Sequence, residues 1–410
     1  MPNPIPARLE RMLEEVRPNT DGEVANYIQQ LREADPEKLA IAMCTVDGNR
    51  YSAGDDEHEF SIQSISKPFV YGMALEQLGP DEVASVVGVE PSGEAFHEPS
   101  LDEDTMRPDN PMINAGAIAV NQLIGGPDMP VAERVEAIRG MLGRLAGREL
   151  ALNEELAKEE FDSGERNLAI AHLLRSHEII QASAHDAIES YTAQCSIMVT
   201  VRDLAVMAAT LGNGGVNPVT GERVFKASTS RAVLSVMSSA GMYDAAGRWM
   251  MQVGIPAKSG VSGGLIGTMP GQLGIATLAP RLDAQGNSVR GVELFKALST
   301  ELGLHLMSSD FAIATPLRSL TTEDGITTIK LQGSVTVMAA EQVLTALDEN
   351  DLGTKKLIID VEHVTGFHSA ALRMVREGLE RLRERGLNLE LRDPDEVAQT
   401  LLHIAEERQG

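Results

Sequence analysis

Two groups of short strand-like segments enclose a long helical block in the larger first part of this chain, and that layout leaves few folds open. Leu39-Ala40-Ile41-Ala42-Met43-Cys44-Thr45-Val46 is a continuous apolar run that stops at Asp47-Gly48, with Arg50-Tyr51-Ser52 beyond it. That reads as strand, tight turn, strand. Strand-like pieces return at Met250–Ile255, Gly264–Met269 and Gly274–Leu278. From about Ser64 to about Arg248 the chain is mostly helical, broken by loops such as Asn213-Gly214-Gly215-Val216-Asn217-Pro218. The leading segment is helical too, with Leu9, Met12, Leu13 and Val16 at helical spacing and a second run around Tyr27, Ile28 and Leu31. Terminal strands meeting in one antiparallel sheet, with helices packed against it, satisfy this pattern.

Near Met307 to Leu320 the character changes. Ile326–Leu331 reads as a strand, Ala339–Leu347 as a helix and Lys356–Val361 as a buried strand. Ala370–Arg385 is a strongly amphipathic helix stopped by Gly386, followed by a strand at Leu387–Leu391 and a last helix to about Glu407. Alternating strands and helices make a small parallel or mixed sheet. At 410 residues the chain exceeds what one core usually supports. The expected division is 1–307 and 314–410, and the fold class is α/β, more narrowly α+β.

The formal net charge of −25 argues against nucleic acid and against anionic membrane surfaces, because the dominant interaction with either would be repulsive. It also suits tolerance of high salt. Cys44 and Cys195 make neither a disulfide framework nor a zinc site. The nine histidines show no ligand spacing, so no metal and no cofactor is implied. The first residues lack a signal-peptide apolar region, and no stretch is apolar and long enough to cross a bilayer. The expectation is a cytoplasmic protein with no membrane insertion.

The segment Phe60-Ser61-Ile62-Gln63-Ser64-Ile65-Ser66-Lys67-Pro68-Phe69 holds the only Ser-x-x-Lys of the chain. Residues three apart share a helix face, so Lys67 can reach the Ser64 hydroxyl. Pro68 is tolerated only near a helix start, which puts that start close to Ser64. A serine there beside a lysine of depressed pKa is an activated nucleophile. Alone, the tetrapeptide has an ordinary explanation: a chain this long carries roughly one by chance. The second piece is Pro256-Ala257-Lys258-Ser259-Gly260-Val261, the only Lys-[Ser/Thr]-Gly. In enzymes with a Ser-x-x-Lys nucleophile this triad lines the cleft from an edge strand. The backbone N–H of Val261, paired with that of Ser64, would then form an oxyanion hole. A glycine-rich turn with a solvated lysine is the plain alternative, and the two motifs together, in this order, argue against it.

Further segments extend the pattern: Asn110-Pro111-Met112-Ile113-Asn114-Ala115-Gly116-Ala117-Ile118, Ser163-Gly164-Glu165-Arg166-Asn167, Gln194-Cys195-Ser196-Ile197 and Gly241-Met242-Tyr243-Asp244. With the two motifs above, the chain from about residue 20 to 300 resembles the serine-dependent glutaminase family. Its fold is similar to the serine β-lactamases and penicillin-binding proteins. The resemblance implies hydrolysis of L-glutamine to glutamate and ammonia, with Ser64 as nucleophile, Lys67 as base and Tyr243 as a second proton-transfer group. It implies that Asn114, Glu160, Asn167 and Tyr191 hold the amino-acid end of glutamine and that Tyr27 closes over it, with Lys258, Ser259 and Gly260 lining the cleft. The residue types suit these roles, because the substrate's α-ammonium needs a carboxylate and its α-carboxylate needs neutral donors. Each has a structural alternative. Glu160 lies in Glu154-Glu155-Leu156-Ala157-Lys158-Glu159-Glu160, whose usual meaning is a solvated helix face. Asn114 and Asn167 could cap helices, and Tyr191 could be a core residue. Cys195, in an apolar run, reads as packing.

The C-terminal part resembles the STAS family in its order of elements. Where many such domains carry Asp-Ser-Ser-Gly before the amphipathic helix, this chain has Phe367-His368-Ser369-Ala370-Ala371, without the aspartate and the glycine. That resemblance implies interaction or regulation, with a protein partner left open. A homo-oligomer, dimer or tetramer, is the expected assembly. Two other readings stay open: a β-lactamase or transpeptidase, disfavoured by the missing Ser-Asp-Asn triad, and a signalling scaffold with a silent enzyme domain.

Overall fold

A computed structural model of the chain describes residues 5–92, 98, 100–307, 317–335, 337–349, 356–367 and 369–393. The chain divides into two compact units, Met1–Ser308 and Ser309–Gly410.

In the first unit the distant strand segments do meet. β1 (Ala40–Thr45) and β2 (Arg50–Gly54) form the hairpin around Asp47-Gly48. A short pair, β3 (Phe60–Ser61) and β4 (Met198–Val199), lies apart from the main sheet. β5 (Ala257–Ser259), β6 (Gly264–Met269) and β7 (Leu273–Leu278) complete the main sheet. Its order is β2-β1-β7-β6-β5, every pair antiparallel, with Met43 opposite Ile275 and Lys258 opposite Ile266. β5, which carries the Lys-Ser-Gly segment, is an edge strand.

The period of two along β1 explains why its apolar run is unbroken. Ala40, Ala42 and Cys44 join the core shared with the helical block, including Leu204, Ala205 and Ala208 of the helix Val201–Gly212. Leu39, Ile41 and Met43 face the other way, into a core with Leu9, Leu13, Trp249 and Phe295. Both faces of the sheet are therefore covered. The helix Ser66–Leu78 runs through the first of these cores with Phe69, Val70, Tyr71, Met73 and Ala74 all buried.

One reading needs correction. Met250–Ile255, taken as a strand, belongs to the helix Ala246–Gln252 and the turn after it. Ala246, Trp249 and Val253 are buried at helical spacing, and the Trp249 indole donates to the carbonyl of Ile255 at 2.7 Å. The second helical run near Tyr27 is short, Gln29–Arg32, and leaves Tyr27 outside it.

In the second unit, β8 (Leu317–Glu323), β9 (Ile326–Val335), β10 (Lys356–Phe367) and β11 (Asn388–Arg392) form a sheet of order β11-β10-β9-β8. β10 is parallel to both β9 and β11, and β8 pairs antiparallel with β9 across Asp324-Gly325. β8 is an addition to the sequence reading. The helices Val337–Glu349 and Ser369–Glu384 follow β9 and β10. Ile329, Leu331, Val343, Leu357, Ile359, Val375 and Leu379 make a separate core. The expected last helix to Glu407 lies outside the described residues.

Candidate active site

Ser64 is buried in a single 3₁₀ turn, Gln63–Ile65, that leads directly into the helix starting at Ser66. Gln63 holds φ +50°, a left-handed conformation that costs energy for a residue with a side chain. The Ser66 N–H and the Ser66 hydroxyl, at 2.7 Å, both donate to the Gln63 carbonyl and hold the turn. Lys67 is fully buried one helical turn on, where its ammonium donates to Met112 O at 3.1 Å and Asn114 Oδ1 at 2.7 Å. Burial pulls its pKa down to about 7. The side chain hydrogen-bonded to Ser64 is Tyr243.

Tyr243 occupies a second strained turn, φ +51°, between the helices Ala227–Ala240 and Ala246–Gln252. Gly241 sets this turn against β5: a Cβ there would stand 1.9 Å from the Ala257 carbonyl oxygen. Across that close approach, Lys258 Nζ donates to Tyr243 Oη at 2.8 Å and to Ser259 O at 2.7 Å. Lys258 Nζ is 3.9 Å and Lys67 Nζ 5.9 Å from the centre of the Tyr243 ring. Burial, and then the charge of Lys67, push the Lys258 pKa far down. Burial raises the Tyr243 phenol well above its ordinary value, the bond to Ser64 opposing it. The site therefore carries fewer protons than two lysines suggest.

Ser259 is buried with no hydrogen-bond partner for its hydroxyl among the described residues. A Cβ on Gly260 would lie 3.2 Å from Ile62 O and 3.4 Å from Gln63 Cβ, so the chain leaving β5 runs alongside the Ser64 turn. Among the described residues, neither the Ser64 N–H nor the Val261 N–H has an acceptor. Two buried-side donors on adjacent backbones are what a developing oxyanion needs.

The remaining candidates line up behind this centre. Asn114 opens the helix Asn114–Leu123. Its Oδ1 receives Lys67 and, at 3.4 Å, the Tyr191 hydroxyl; its Nδ2 donates to Asn167 Oδ1 at 3.0 Å. Tyr191 is buried in the helix Ala184–Cys195, and burial keeps its phenol protonated. Glu160 does not sit on a solvated face. It is 8% exposed, on the same side of the helix Glu154–Asp162 as buried Leu156 four residues earlier. Its Oε1 accepts from Gln63 Nε2 at 2.9 Å and from Tyr27 Oη at 3.0 Å, and burial raises its pKa against those two bonds. The Tyr27 residue is 51% exposed, yet its hydroxyl end is desolvated against Glu160. The residue that sequence reasoning missed is Gln63, whose side chain ties Glu160 to Ser61. Its position next to Ser64 was the available signal. Burial pushes Cys195 up to about 12, so its thiol is inert. No group of three His, Cys, Asp or Glu residues that could hold a metal exists among the described residues. None of the described helices is long and apolar enough to cross a membrane.

The family model for glutaminase matches residues 22–307. The chain belongs to the glutaminase family, the serine-dependent, β-lactamase-like type. Residues 319–406 match the model described as the Mlab STAS domain, so the second unit is a STAS domain. A glutaminase of Corynebacterium efficiens is 55% identical over 394 residues, 96% of this chain and 93% of that one. Glutaminase 1 of Bradyrhizobium diazoefficiens is 41% identical over 400 residues, 92% of this chain and 65% of its own length. A crystal structure of Mglu in its L-glutamate binding form in the presence of 4.3 M NaCl superposes with a TM-score of 0.90 at 40% identity, over 97% of this chain and 100% of that one. This glutaminase keeps its whole cluster, from Tyr27 to Val261, inside the segment that the family model matches.

Proposed function

We propose that this glutaminase hydrolyses L-glutamine to L-glutamate and ammonia through an acyl-enzyme on Ser64. The observation that carries the reading is the buried chain Lys258–Tyr243–Ser64 beside Lys67, an amine whose pKa of about 7 makes it a base at neutral pH. Ser64 Oγ attacks the side-chain amide carbon and gives its proton to the neutral Lys67 amine, with Tyr243, hydrogen-bonded to Lys258, as the second proton-transfer group. The carbonyl oxygen, now negative, takes the N–H groups of Ser64 and Val261. The C–N bond breaks, and the leaving nitrogen takes the proton back and departs as ammonia. Water then attacks the ester with the same base, and Ser64 recovers its proton as glutamate leaves.

Glu160 would meet the α-ammonium, since both of its hydrogen bonds fall on Oε1 and leave Oε2 for the ligand. Asn114, Asn167 and Tyr191, all neutral donors, would take the α-carboxylate, and the half-exposed Tyr27 ring would cover the entrance. That a relative was crystallised in an L-glutamate binding form supports product binding at the equivalent cleft. Two buried free thiols suit a reducing, cytoplasmic setting. The STAS domain supplies none of these groups, and we read it as a module for a protein partner.

The test is a glutamine analogue with an electrophilic carbon in place of the amide. It should add to the Ser64 peptide by mass spectrometry, with ammonia release lost in parallel. Labelling elsewhere with Ser64 unmodified would refute the reading.

A further inference from the structure

We propose that a buried chain of hydrogen bonds from Arg134 through Gln122, Asn121, Gln194 and Ser66 positions and polarises the peptide that supplies the Ser64 N–H to the oxyanion hole. The proposal deepens the acyl-enzyme reading above and rests on it.

The links are continuous. Arg134 Nη1 donates to Gln122 Oε1 at 3.1 Å, Gln122 Nε2 to Asn121 Oδ1 at 2.8 Å, and Asn121 Nδ2 to Gln194 Oε1 at 2.8 Å. Gln194 Nε2 donates to the Ser66 hydroxyl at 2.9 Å, and that hydroxyl donates to Gln63 O at 2.7 Å. No member is more than 6% exposed. Each amide has its oxygen toward the arginine and its N–H toward the nucleophile turn, so the dipoles all point one way. Such a buried polar set is costly unless every member is satisfied, and bonds in a chain strengthen one another.

The arginine end is unusual. Arg134 is buried, makes no ion pair among the described residues, and spends its other donors on Ile124 O at 3.0 Å and Gly126 O at 2.7 Å. At hydrogen-bond range its charge thus meets only carbonyl and amide dipoles, with Asp186 as a more distant attraction. The chain that carries this polarisation ends on one backbone carbonyl.

That carbonyl belongs to the peptide between Gln63 and Ser64. The bond is trans, so its N–H points opposite to its C=O. Anchoring the oxygen on the Ser66 side therefore fixes the direction of the Ser64 N–H. A carbonyl that accepts two hydrogen bonds, from Ser66 N and Ser66 Oγ, also leaves its N–H a stronger donor. The role is separate from that of the Gln63 side chain, which goes to Glu160. These five are positioning residues, since none touches the substrate in the proposed mechanism.

The test uses Gln122→Glu in the full-length enzyme. The variant keeps the shape and gives Arg134 a carboxylate, but it has no N–H for Asn121 and neutralises the charge at the far end. The expected result is a kcat lower by about tenfold, below the effect of removing a hole donor outright. KM for glutamine and inhibition by glutamate should stay within about twofold, since ground-state contacts are untouched. Ser66→Ala, which cuts the last link, should show the same split. A folded Gln122→Glu with wild-type kcat, or a loss shared equally by kcat, KM and glutamate inhibition, overturns the proposal. Should that variant fail to fold, Ser66→Ala decides on the same criteria. Ser64→Ala assayed alongside separates the two ideas. If it is active, the serine mechanism itself is wrong; if it is inactive while the chain variants turn over normally, only the chain is wrong.

Discussion

Replacing Glu160 by glutamine isolates the recognition of the substrate's α-ammonium. In the free enzyme both donors to this carboxylate, Tyr27 Oη and Gln63 Nε2, land on Oε1. Oε2 is left for the ligand. In the variant the two donors would keep the amide oxygen in the Oε1 place and turn the amide NH2 toward the ammonium, donor against donor. A hydrogen bond to a charged group contributes about 1.5–3 kcal/mol, and the site is too buried for strong solvent screening. The same burial raises the carboxyl pKa, so part of the ammonium's attraction goes into keeping Glu160 ionised. That argues for the lower half of the range, a weakening of about 10- to 40-fold. The assays are KM for glutamine and competitive inhibition by glutamate, beside the same measurements with glutaramate, the amide that lacks the α-amino group. Wild type should use glutaramate poorly, and Glu160→Gln should lose little further on it. Equal losses on both substrates, or wild type using both equally well, would refute the assignment.

Three further outcomes follow from the site. Lys67 acts as a base only when neutral, so kcat/KM should fall below its pKa of about 7, roughly tenfold per pH unit toward pH 5; a flat profile between pH 5 and 8 contradicts the assignment. Ser64→Ala should keep the fold and bind glutamate while ammonia release disappears; near wild-type turnover in that variant would sink the covalent mechanism. A chain stopped near Ala312 should stay soluble and hydrolyse glutamine, because the first unit has its own cores and holds the whole cluster. Activity across sodium chloride concentration and mass by light scattering check it, and a folded but inactive product at low salt means that the STAS domain shapes the site.

The antiparallel sheet was legible because its signals are local and strong. β1 is a run of small and aliphatic residues bounded by Asp47-Gly48, and a strand buried on both faces needs no alternation. The misread Met250–Ile255 segment shows the limit. Its helical period begins upstream, with Ala246 and Trp249 buried and Met251 70% exposed, so a window opened at Met250 loses the first turn. β8 was missed for another reason. Leu-Arg-Ser-Leu-Thr-Thr-Glu is a half-exposed edge strand with little alternation to detect.

At the site, legibility follows sequence distance. Ser64 and Lys67 lie three residues apart, so their spacing drew attention to them, and the Lys-Ser-Gly segment and the family resemblance turned that spacing into a candidate. Glu160 was hidden inside an acidic run, where only its offset of four from Leu156 hints at an inward face. The resemblance to a family, not the pattern, singled it out. The Arg134 chain was beyond reach: its links join Asn121 to Gln194 and Gln194 to Ser66, 73 and 128 residues apart. A buried amide or serine looks in sequence like any polar residue on a helix. What marks these five is that each satisfies its neighbour, which only the folded core can arrange. The proposed nucleophile can therefore be picked out from short motifs taken together, whereas the proposed support of its backbone is a property of the whole helical block.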